Sequence, residues 1–330
     1  MKNKKIVKVL VLLVLLITLT GCTHMLKGKD GKPVRNEETG QTITENIICK
    51  PTDKKTIKIY KENNVDIEKL PDCNNIKISG KYENLWNSLF VRPLAFAIIK
   101  VGEFVKSNAI SIVIITLIIR LLLYSNTKKT LLQSENMKKA QPEIKRIEKK
   151  YEGKNDNESI QKKGQEMMMV YKKYNIKPLS GCLFAFIQLP ILFAFYEAIQ
   201  RVPAIFEENF LGINMGTTPG TAISNGNWLY IVICIILIII TFLSFKTNPS
   251  MNNTKDKKND KTKDKEKEDE IDPTAMQQKM MGPMMTVFIG FMSFTLPTAI
   301  ALYWITSSLF TIFQNLTMKR GKKAWIYKHL

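Results

Sequence analysis

Five stretches of mostly apolar residues constrain this chain more than any other feature of its sequence. A run of about twenty apolar residues matches the hydrocarbon thickness of a bilayer when it is coiled as a helix. The sequence therefore predicts an all-α membrane protein with five transmembrane helices, at residues 107–124, 179–199, 228–245, 276–296 and 297–317.

The charge of the chain agrees with a membrane location. Its 330 residues carry a formal net charge of +20. Such a charge fits either a nucleic-acid-binding protein or a membrane protein whose inner loops are rich in lysine. Because the lysines cluster immediately outside the apolar stretches, they favour the membrane protein.

The sequence contains few residues and motifs of the kinds that form catalytic or metal-binding sites. Its two histidines, His24 and His329, stand near the chain ends, and none of its five cysteines forms a CxxC pair. It contains no P-loop, GxSxG, HExxH or GxGxxG motif. The chain is therefore predicted not to be an enzyme and to bind no metal or dissociable cofactor.

Residues 1–21 are typical of a bacterial lipoprotein signal peptide. A basic start precedes the apolar stretch Val9–Leu19, which is short for a membrane span. The following residues, Leu19-Thr20-Gly21-Cys22, resemble a lipobox, so the Cys22 thiol is predicted to take a diacylglyceryl lipid of the palmitate type. The alternative is an uncleaved anchor that contains a cysteine by chance. In the lipoprotein interpretation, residue 22 lies outside the cytoplasm.

Two extracytoplasmic segments are predicted before the first span. Residues 22–81 are polar and mixed in charge, which indicates a small or partly disordered region. Cys49 and Cys73 lie there, outside the reducing cytosol, and either form a disulfide or remain free. In residues 82–106 apolar side chains recur at helical spacing, which indicates an amphipathic helix on the outer membrane surface.

The loops between the spans give an orientation. Counting five spans from an outside start places residues 125–178, 246–275 and 318–330 in the cytoplasm and residues 200–227 outside. Segments 125–178 and 318–330 are strongly basic, so the positive-inside rule supports the same orientation. The low-complexity Lys/Asp/Glu sequence of 246–275 indicates a disordered loop. The protein is thus predicted to be a multi-pass cell-membrane protein, with its lipid-anchored N-terminus outside and its C-terminus in the cytoplasm.

Residues 125–178 are predicted to form a cytoplasmic helical hairpin. Pro142 is expected to kink its first helix or to begin a new helical segment. The hairpin either packs only on itself or offers the methionine-rich stretch Met167–Met169 to lipid headgroups and apolar partners. Its two apolar stripes recur at spacings of three and four residues and comprise Met137, Ala140, Ile144, Ile147 and Tyr151, then Ile160, Gly164, Met167, Tyr171 and Tyr174.

Four blocks in the sequence are characteristic in their order and spacing. They are Ile115–Leu123, Gln141–Ile144, Pro178–Leu183 with Ile187–Ile191, and Leu302–Thr306 with Leu309, Phe310 and Gln314. Together they resemble the YidC-type membrane protein insertase family, over roughly Tyr82 to Lys319. The lipobox fits the Gram-positive branch of that family. Tyr124 and Ser308 depart from the family's pattern, which often has proline and asparagine at these positions.

The resemblance implies five spans around a hydrophilic groove that is open to the cytoplasm and to lipid and closed on the outside. Arg120 matches the family's groove arginine. Since a charged side chain at the bilayer centre costs about 2.5–3.5 kcal/mol on insertion scales, Arg120 implies a wet cavity, a partner, or a side chain that reaches back to the inner surface. Gln188, Thr306 and Gln314 are expected either to line the groove or to form helix–helix hydrogen bonds.

Under this resemblance the chain is expected to insert nascent membrane proteins and to help them fold, without hydrolysing a nucleotide. Arg120 is expected to attract the acidic extracytoplasmic tail of a client into the groove. Further expected partners are a Sec translocon, anionic lipids, and the ribosome through the basic tail. The alternative is a small-solute transporter or channel, but the sequence has no detectable inverted repeat and no carboxylate deep in any predicted span.

Overall fold

The computed structural model describes residues 24–79, 82–154, 156–177, 180–247 and 273–329. The predicted signal peptide, the lipid site at Cys22 and most of the charged loop 246–275 lie outside these residues. The chain divides into two compact units. Unit 1 comprises Met1–Ile118, Gln188–Leu237 and Ile289–Ser307, and unit 2 comprises Ile119–Ile187, Ile238–Phe288 and Ser308–Leu330.

Helices make up nearly all of the regular structure, so the helical fold class is confirmed. They are α1 (Lys54–Glu62), α2 (Arg92–Val105), α3 (Asn108–Leu122), α4 (Tyr124–Lys150), α5 (Asn157–Lys173), α6 (Ser180–Arg201), α7 (Pro203–Phe206), α8 (Pro219–Ser224), α9 (Leu229–Thr247), α10 (Pro273–Thr295) and α11 (Thr298–His329). A π-helical stretch, Asn87–Val91, leads into α2. Two short antiparallel strands, β1 (Asn209–Phe210) and β2 (Ile213–Asn214), form the only named sheet among the described residues.

Two of the described helices are long and apolar enough to cross a membrane. They are α9 and the part of α11 from Thr298 to Met318. α3 and the Gly282–Thr295 part of α10 are apolar but shorter. α3 is short because Lys106, with a left-handed φ of 58°, ends α2 just before it, and Leu123 separates it from α4. The full set of five spans stays a prediction.

The last helix includes the backbone of the basic tail. The sequence predicts a fifth span at 297–317 and a basic tail at 318–330, and α11 continues from Thr298 to His329. Lysine and arginine are good helix formers, and no proline follows Pro297 to end the helix. The backbone of the tail is therefore a continuation of the apolar helix.

The N-terminal segment, residues 24–79, belongs to unit 1 and is folded. Its core buries the side chains of Leu26, Ile43, Ile47, Tyr60 and Ile67. The Asp53 carboxylate caps α1 by accepting a hydrogen bond from the Thr56 N–H at 2.8 Å. Cys49 and Cys73 are joined in a disulfide. Of the two expectations for this region, small or partly disordered, the described part shows the small folded one.

In unit 2, α4 and α5 pack against each other through an apolar cluster. Its buried members are Ala140, Ile144, Ile147, Tyr151, Val170 and Ile176. Polar contacts flank this core: the Tyr151 hydroxyl donates to Glu166 at 2.9 Å, and the Tyr174 hydroxyl donates to Glu143 at 2.8 Å. α4 continues through Pro142 rather than restarting there. Ile160, which was predicted to face the core, is 57% exposed.

Replacing a core residue of this pair of helices should loosen it far more than replacing an exposed one. Ile144→Ala removes a side chain that is 5% exposed and should cost about 2–5 kcal/mol of local stability, because it leaves a cavity. Ile160→Ala, the matched control, should cost less than about 0.5 kcal/mol. Hydrogen exchange at the α4 backbone measures both values. Equal exchange rates in the two variants would contradict the packing described above.

Candidate functional site

The four residues predicted to line a groove belong to two different units. Arg120, in the last turn of α3, and Gln314, in α11, lie in unit 2. Gln188, in α6, and Thr306, in α11, lie in unit 1.

In unit 1, Gln188 forms a polar link between two helices. Its Nε2 donates to the Tyr303 hydroxyl at 2.6 Å, so it joins α6 to α11. The buried Tyr303 ring stacks on Phe195, with 4.4 Å between the ring centroids. Thr306 is also buried, and its hydroxyl donates to the Leu302 carbonyl one turn earlier at 2.9 Å. Both side chains thus make hydrogen bonds of the kind that satisfies polar groups inside a helical membrane protein.

In unit 2, Arg120 is partly exposed at the end of an apolar helix. The next two residues, Leu121 and Leu122, are 62% and 77% exposed. Gln314 is buried, and its Nε2 has no hydrogen-bond partner among the described residues. The neighbouring Asn315 donates to the Thr247 hydroxyl at 3.2 Å, which joins α11 to α9.

Unit 2 also contains buried polar residues that are not among the predicted groove residues. Two of their hydroxyls bond within their own helices, from Ser244 to the Thr241 carbonyl at 2.8 Å and from Thr286 to the Gly282 carbonyl at 2.9 Å. Thr241 Oγ1 and Asn315 Oδ1 have no hydrogen-bond partner among the described residues. A buried polar atom without a partner costs free energy in hydrocarbon. This part of α9, α10 and α11 is therefore suited to water or to a polar ligand. The signal in the sequence was the recurrence of Ser and Thr inside apolar helices, at Thr241, Ser244, Thr286 and Ser308.

A buried ion pair fixes one end of α6 in unit 1. Arg201 is 1% exposed, and its guanidinium donates to both carboxylate oxygens of Glu83, at 2.7 and 2.9 Å. Its Nε donates to the Asn46 carbonyl at 2.8 Å, while the Arg201 carbonyl accepts from the Ile48 N–H at 2.8 Å. Because a planar guanidinium can bond in several directions at once, Arg201 joins α6 to the N-terminal segment and to the stretch before α2.

The Glu83 carboxyl is held in its charged form. Burial by itself raises its pKa, but the charge and hydrogen bonds of Arg201 outweigh burial and hold the pKa of Glu83 below its ordinary value. Arg92 adds a longer ion pair at 3.5 Å. The sequence alone does not indicate this pair, because Glu83 and Arg201 lie 118 positions apart.

A second carboxylate fixes the start of α3. Glu208 accepts hydrogen bonds from the Ser107 hydroxyl and from the Asn108 N–H, both at 2.6 Å. A negative charge at a helix N-terminus satisfies free N–H groups and complements the helix dipole. Near the same end of α6, the Trp86 indole N–H donates to Glu197 at 3.0 Å. Carboxylates of α6 and of the loop after it therefore fix the neighbouring helices in place.

Comparison with known proteins gives a consistent result over most of the chain. Residues 100–324 match the model of a family described as 60Kd inner membrane protein. The chain is 33% identical over 262 residues to the membrane protein insertase YidC of Oceanobacillus iheyensis, which covers 77% of this chain and 92% of that protein. It is 34% identical over 247 residues to the membrane protein insertase YidC 1 of Listeria monocytogenes, which covers 74% of this chain and 76% of that protein. Among solved structures, it is similar to an active YidC insertase, with 24% identity and a TM-score of 0.48 over 80% of this chain and 52% of that one.

Breaking the buried ion pair should release the N-terminal segment from α6. In Glu83→Gln, the Arg201 charge stays buried without its carboxylate, which should cost about 3 kcal/mol, the lower end of the range for such pairs because Glu83 is 28% exposed. Hydrogen exchange at the Ile48 N–H should then be about a hundredfold faster. Glu62→Gln, which breaks the exposed Lys58–Glu62 pair, should change exchange there by less than threefold. An unchanged rate in Glu83→Gln would show that the pair does not hold the segment.

The same pair should make stability depend on pH at the acid end. Since the pKa of Glu83 is lower in the folded state, its contribution is fully present above the unfolded carboxyl pKa of about 4.3 and is lost as the pH falls through the folded value. The difference in thermal unfolding midpoint between wild type and Glu83→Gln should therefore be constant from pH 6 to 8 and shrink below about pH 4. A difference that persists at pH 2.5 would rule out a charge effect.

Proposed function

This chain belongs to the family of YidC-type membrane protein insertases, matched by the 60Kd inner membrane protein model, and we propose how its own residues carry out insertion. It is a membrane protein insertase of the cell membrane whose substrates are nascent membrane proteins. The observation that carries the proposal is a basic residue, Arg120, in the last turn of the apolar helix α3 within the matched residues. The relatives named above are insertases, so a transporter or channel is not favoured.

We propose that α3, α6, α9, α10 and α11 are the five spans. α6 and α10, with 22 and 23 residues, have the length that a bilayer requires. Cys22 then carries the lipid anchor, the N-terminal segment lies outside, and α4, α5 and the end of α11 lie in the cytoplasm. The Cys49–Cys73 disulfide supports this orientation, because disulfides persist outside the reducing cytosol.

In this arrangement Arg120 is the electrostatic attractor for a client. The polar, often acidic, outer tail of a client is drawn towards its guanidinium, which forms strong hydrogen bonds with carboxylates. Buried polar residues such as Thr241 and Gln314 lie in the same unit and replace part of the hydration that the tail loses. The distance that the tail must cross without polar contacts is thereby shortened.

Burial of the client's own apolar helix supplies the driving force. Each leucine that enters the bilayer contributes roughly −0.3 to −0.6 kcal/mol on an insertion scale. A helix with about ten such residues therefore gains several kcal/mol without a nucleotide. The protein's task in this scheme is to lower the barrier for the polar tail rather than to supply net free energy.

Three further partners fit the same scheme. The ribosome would contact the basic end of α11, where Lys319, Arg320, Lys322 and Lys323 follow the apolar part of the helix. Anionic lipids would contact lysines of α4 and α5. A Sec translocon would deliver clients that have several spans.

Insertion by the purified protein in liposomes tests the role of Arg120. The client is a single-span protein made in two forms, one with an acidic and one with an uncharged outer tail. Arg120→Ala should reduce insertion of the acidic form about tenfold, since one lost charged hydrogen bond is worth about 1.5–3 kcal/mol. Insertion of the uncharged form by Arg120→Ala should fall less than threefold. Arg120→Lys should retain most of the insertion activity for both forms, because the positive charge remains.

Lys145→Ala serves as the matched control, because it removes an exposed basic residue from α4 in the same unit. It should insert both clients at the wild-type rate. Equal insertion by wild type, Arg120→Ala and Arg120→Lys would leave the insertase function intact and refute the role of Arg120. A wild-type protein no better than empty liposomes would count against unaided insertion.

A further inference from the structure

Unit 1 contains a polar cavity between the N-terminal segment and the loop that follows α6. Its volume is about 200 Å³, which is the space of roughly six or seven water molecules. It is smaller than the pockets that hold drug-sized ligands, so it suits a ligand the size of one side chain. It is lined by Asn36, Glu38, Thr39, Gln41, Ile43, Asp53, Lys55, Thr56, Phe206, Glu207, Asn209 and Asn214.

Two lining residues, Glu207 and Gln41, have polar groups that are largely buried. Glu207 Oε1 is buried and has no hydrogen-bond partner within the described chain. Gln41 is 3% exposed and lines the same cavity. Since a buried polar group costs free energy unless it is bonded, the Glu207 oxygen indicates a polar ligand in the cavity.

The walls of the cavity are held in place by other hydrogen bonds. Glu207 Oε2 accepts from the Thr52 hydroxyl at 2.7 Å and from the Thr52 and Asp53 N–H groups at 2.9 and 3.2 Å. This contact fixes the Glu207 carboxylate beside the Asp53 backbone, and both residues line the cavity. Gly216 lets the Gln41 amide pack closely against it, because a Cβ there would lie 2.8 Å from Gln41 Oε1. The site is therefore formed before a ligand arrives.

The charge of the lining favours a cation. Lys55 is paired with Glu38, whereas Asp53 and Glu207 form no ion pair with any described residue. One oxygen of each carboxylate is occupied, Asp53 Oδ2 by Thr56 and Glu207 Oε2 by Thr52. The remaining oxygens, Asp53 Oδ1 and Glu207 Oε1, together with Gln41 Oε1, supply three acceptors. A primary ammonium group has three donors and no acceptor.

We infer that this cavity binds a primary ammonium or guanidinium group, as carried by a lysine or arginine side chain of an extracytoplasmic peptide. A divalent metal ion fits less well. Calcium takes six to eight oxygen ligands, and within the described parts of the chain no group of three or more His, Cys, Asp or Glu side chains is placed to hold a metal. The outward orientation proposed above decides where such a peptide would come from, but the binding site itself does not depend on the insertase function.

Calorimetric titration of the full-length protein in detergent tests the inference. The probes are three blocked tripeptides that carry lysine, norleucine or glutamate between two glycines. The lysine peptide should bind saturably with a stoichiometry of one, and the other two should not bind. Norleucine has the chain of lysine without the charge, so it separates the ammonium group from simple burial of a carbon chain.

Three variants localise the binding. Glu207→Gln and Asp53→Asn keep an acceptor for Thr52 and for the α1 cap but remove one charge each, and Gln41→Leu removes the amide at similar size. Each substitution should weaken the binding of the lysine peptide about tenfold. Glu68→Gln, which removes an exposed carboxylate that is paired with Lys50 and lies outside the cavity lining, should change binding less than twofold. Thermal unfolding of each variant confirms that it is folded.

Several outcomes would overturn the inference. One is that the lysine peptide does not bind to folded wild type. Another is that Glu68→Gln and Glu207→Gln weaken the binding of the lysine peptide equally. The third is that Ca²⁺ binds saturably and more strongly and displaces the peptide. Because no insertion assay is involved, a negative result here leaves the proposed function of Arg120 unaffected. Loss of client insertion in Arg120→Ala would equally leave this cavity unaffected.

Discussion

A polar atom that is surrounded by hydrocarbon must find a partner, and the structure is organised around that requirement. Backbone groups meet it by forming helices, which is why the apolar stretches are helical rather than extended. Hydroxyls such as those of Thr286 and Thr306 meet it by bonding to a carbonyl one turn back in their own helix. Arg201 meets it with a carboxylate and a backbone carbonyl. Some buried atoms of unit 2 do not meet it among the described residues, and those on Thr241, Gln314 and Asn315 stand where a polar substrate is proposed to pass.

The parts of the fold that follow from a periodic pattern could be predicted from the sequence. The stripe from Ala140 to Tyr151 is buried as its spacing indicates, because side chains three and four residues apart share one face of a helix. Ile160 has the same spacing but is exposed, because the pattern within one helix does not indicate where its partner helix ends. The family and its function could be predicted because four ordered blocks carry them, and the comparisons confirm both.

Contacts between distant segments could not be predicted. The Glu83–Arg201 pair joins residues 118 positions apart, and the Glu208 cap on α3 spans 100. No local pattern links the partners of either contact, because periodicity and spacing describe only residues that are close together in the sequence. The fold of the N-terminal segment was hidden for a related reason. Its apolar core residues are scattered among lysines and asparagines, and contacts such as the bridges that pair Met25 with Thr44 and Arg35 with Thr42 are not visible in the sequence.

The Arg201–Asn46 contact has a consequence for the order of events during synthesis. Asn46 precedes Arg201 by 155 residues, and ribosomes add about 5–20 residues per second. The N-terminal segment thus emerges roughly 8 to 30 seconds before the residue that anchors it to α6. The core and the disulfide of the segment lie within residues 24–79, so neither requires Arg201. Docking on α6, by contrast, must wait until Arg201 has been made, so this contact belongs to a later stage of the protein's own assembly.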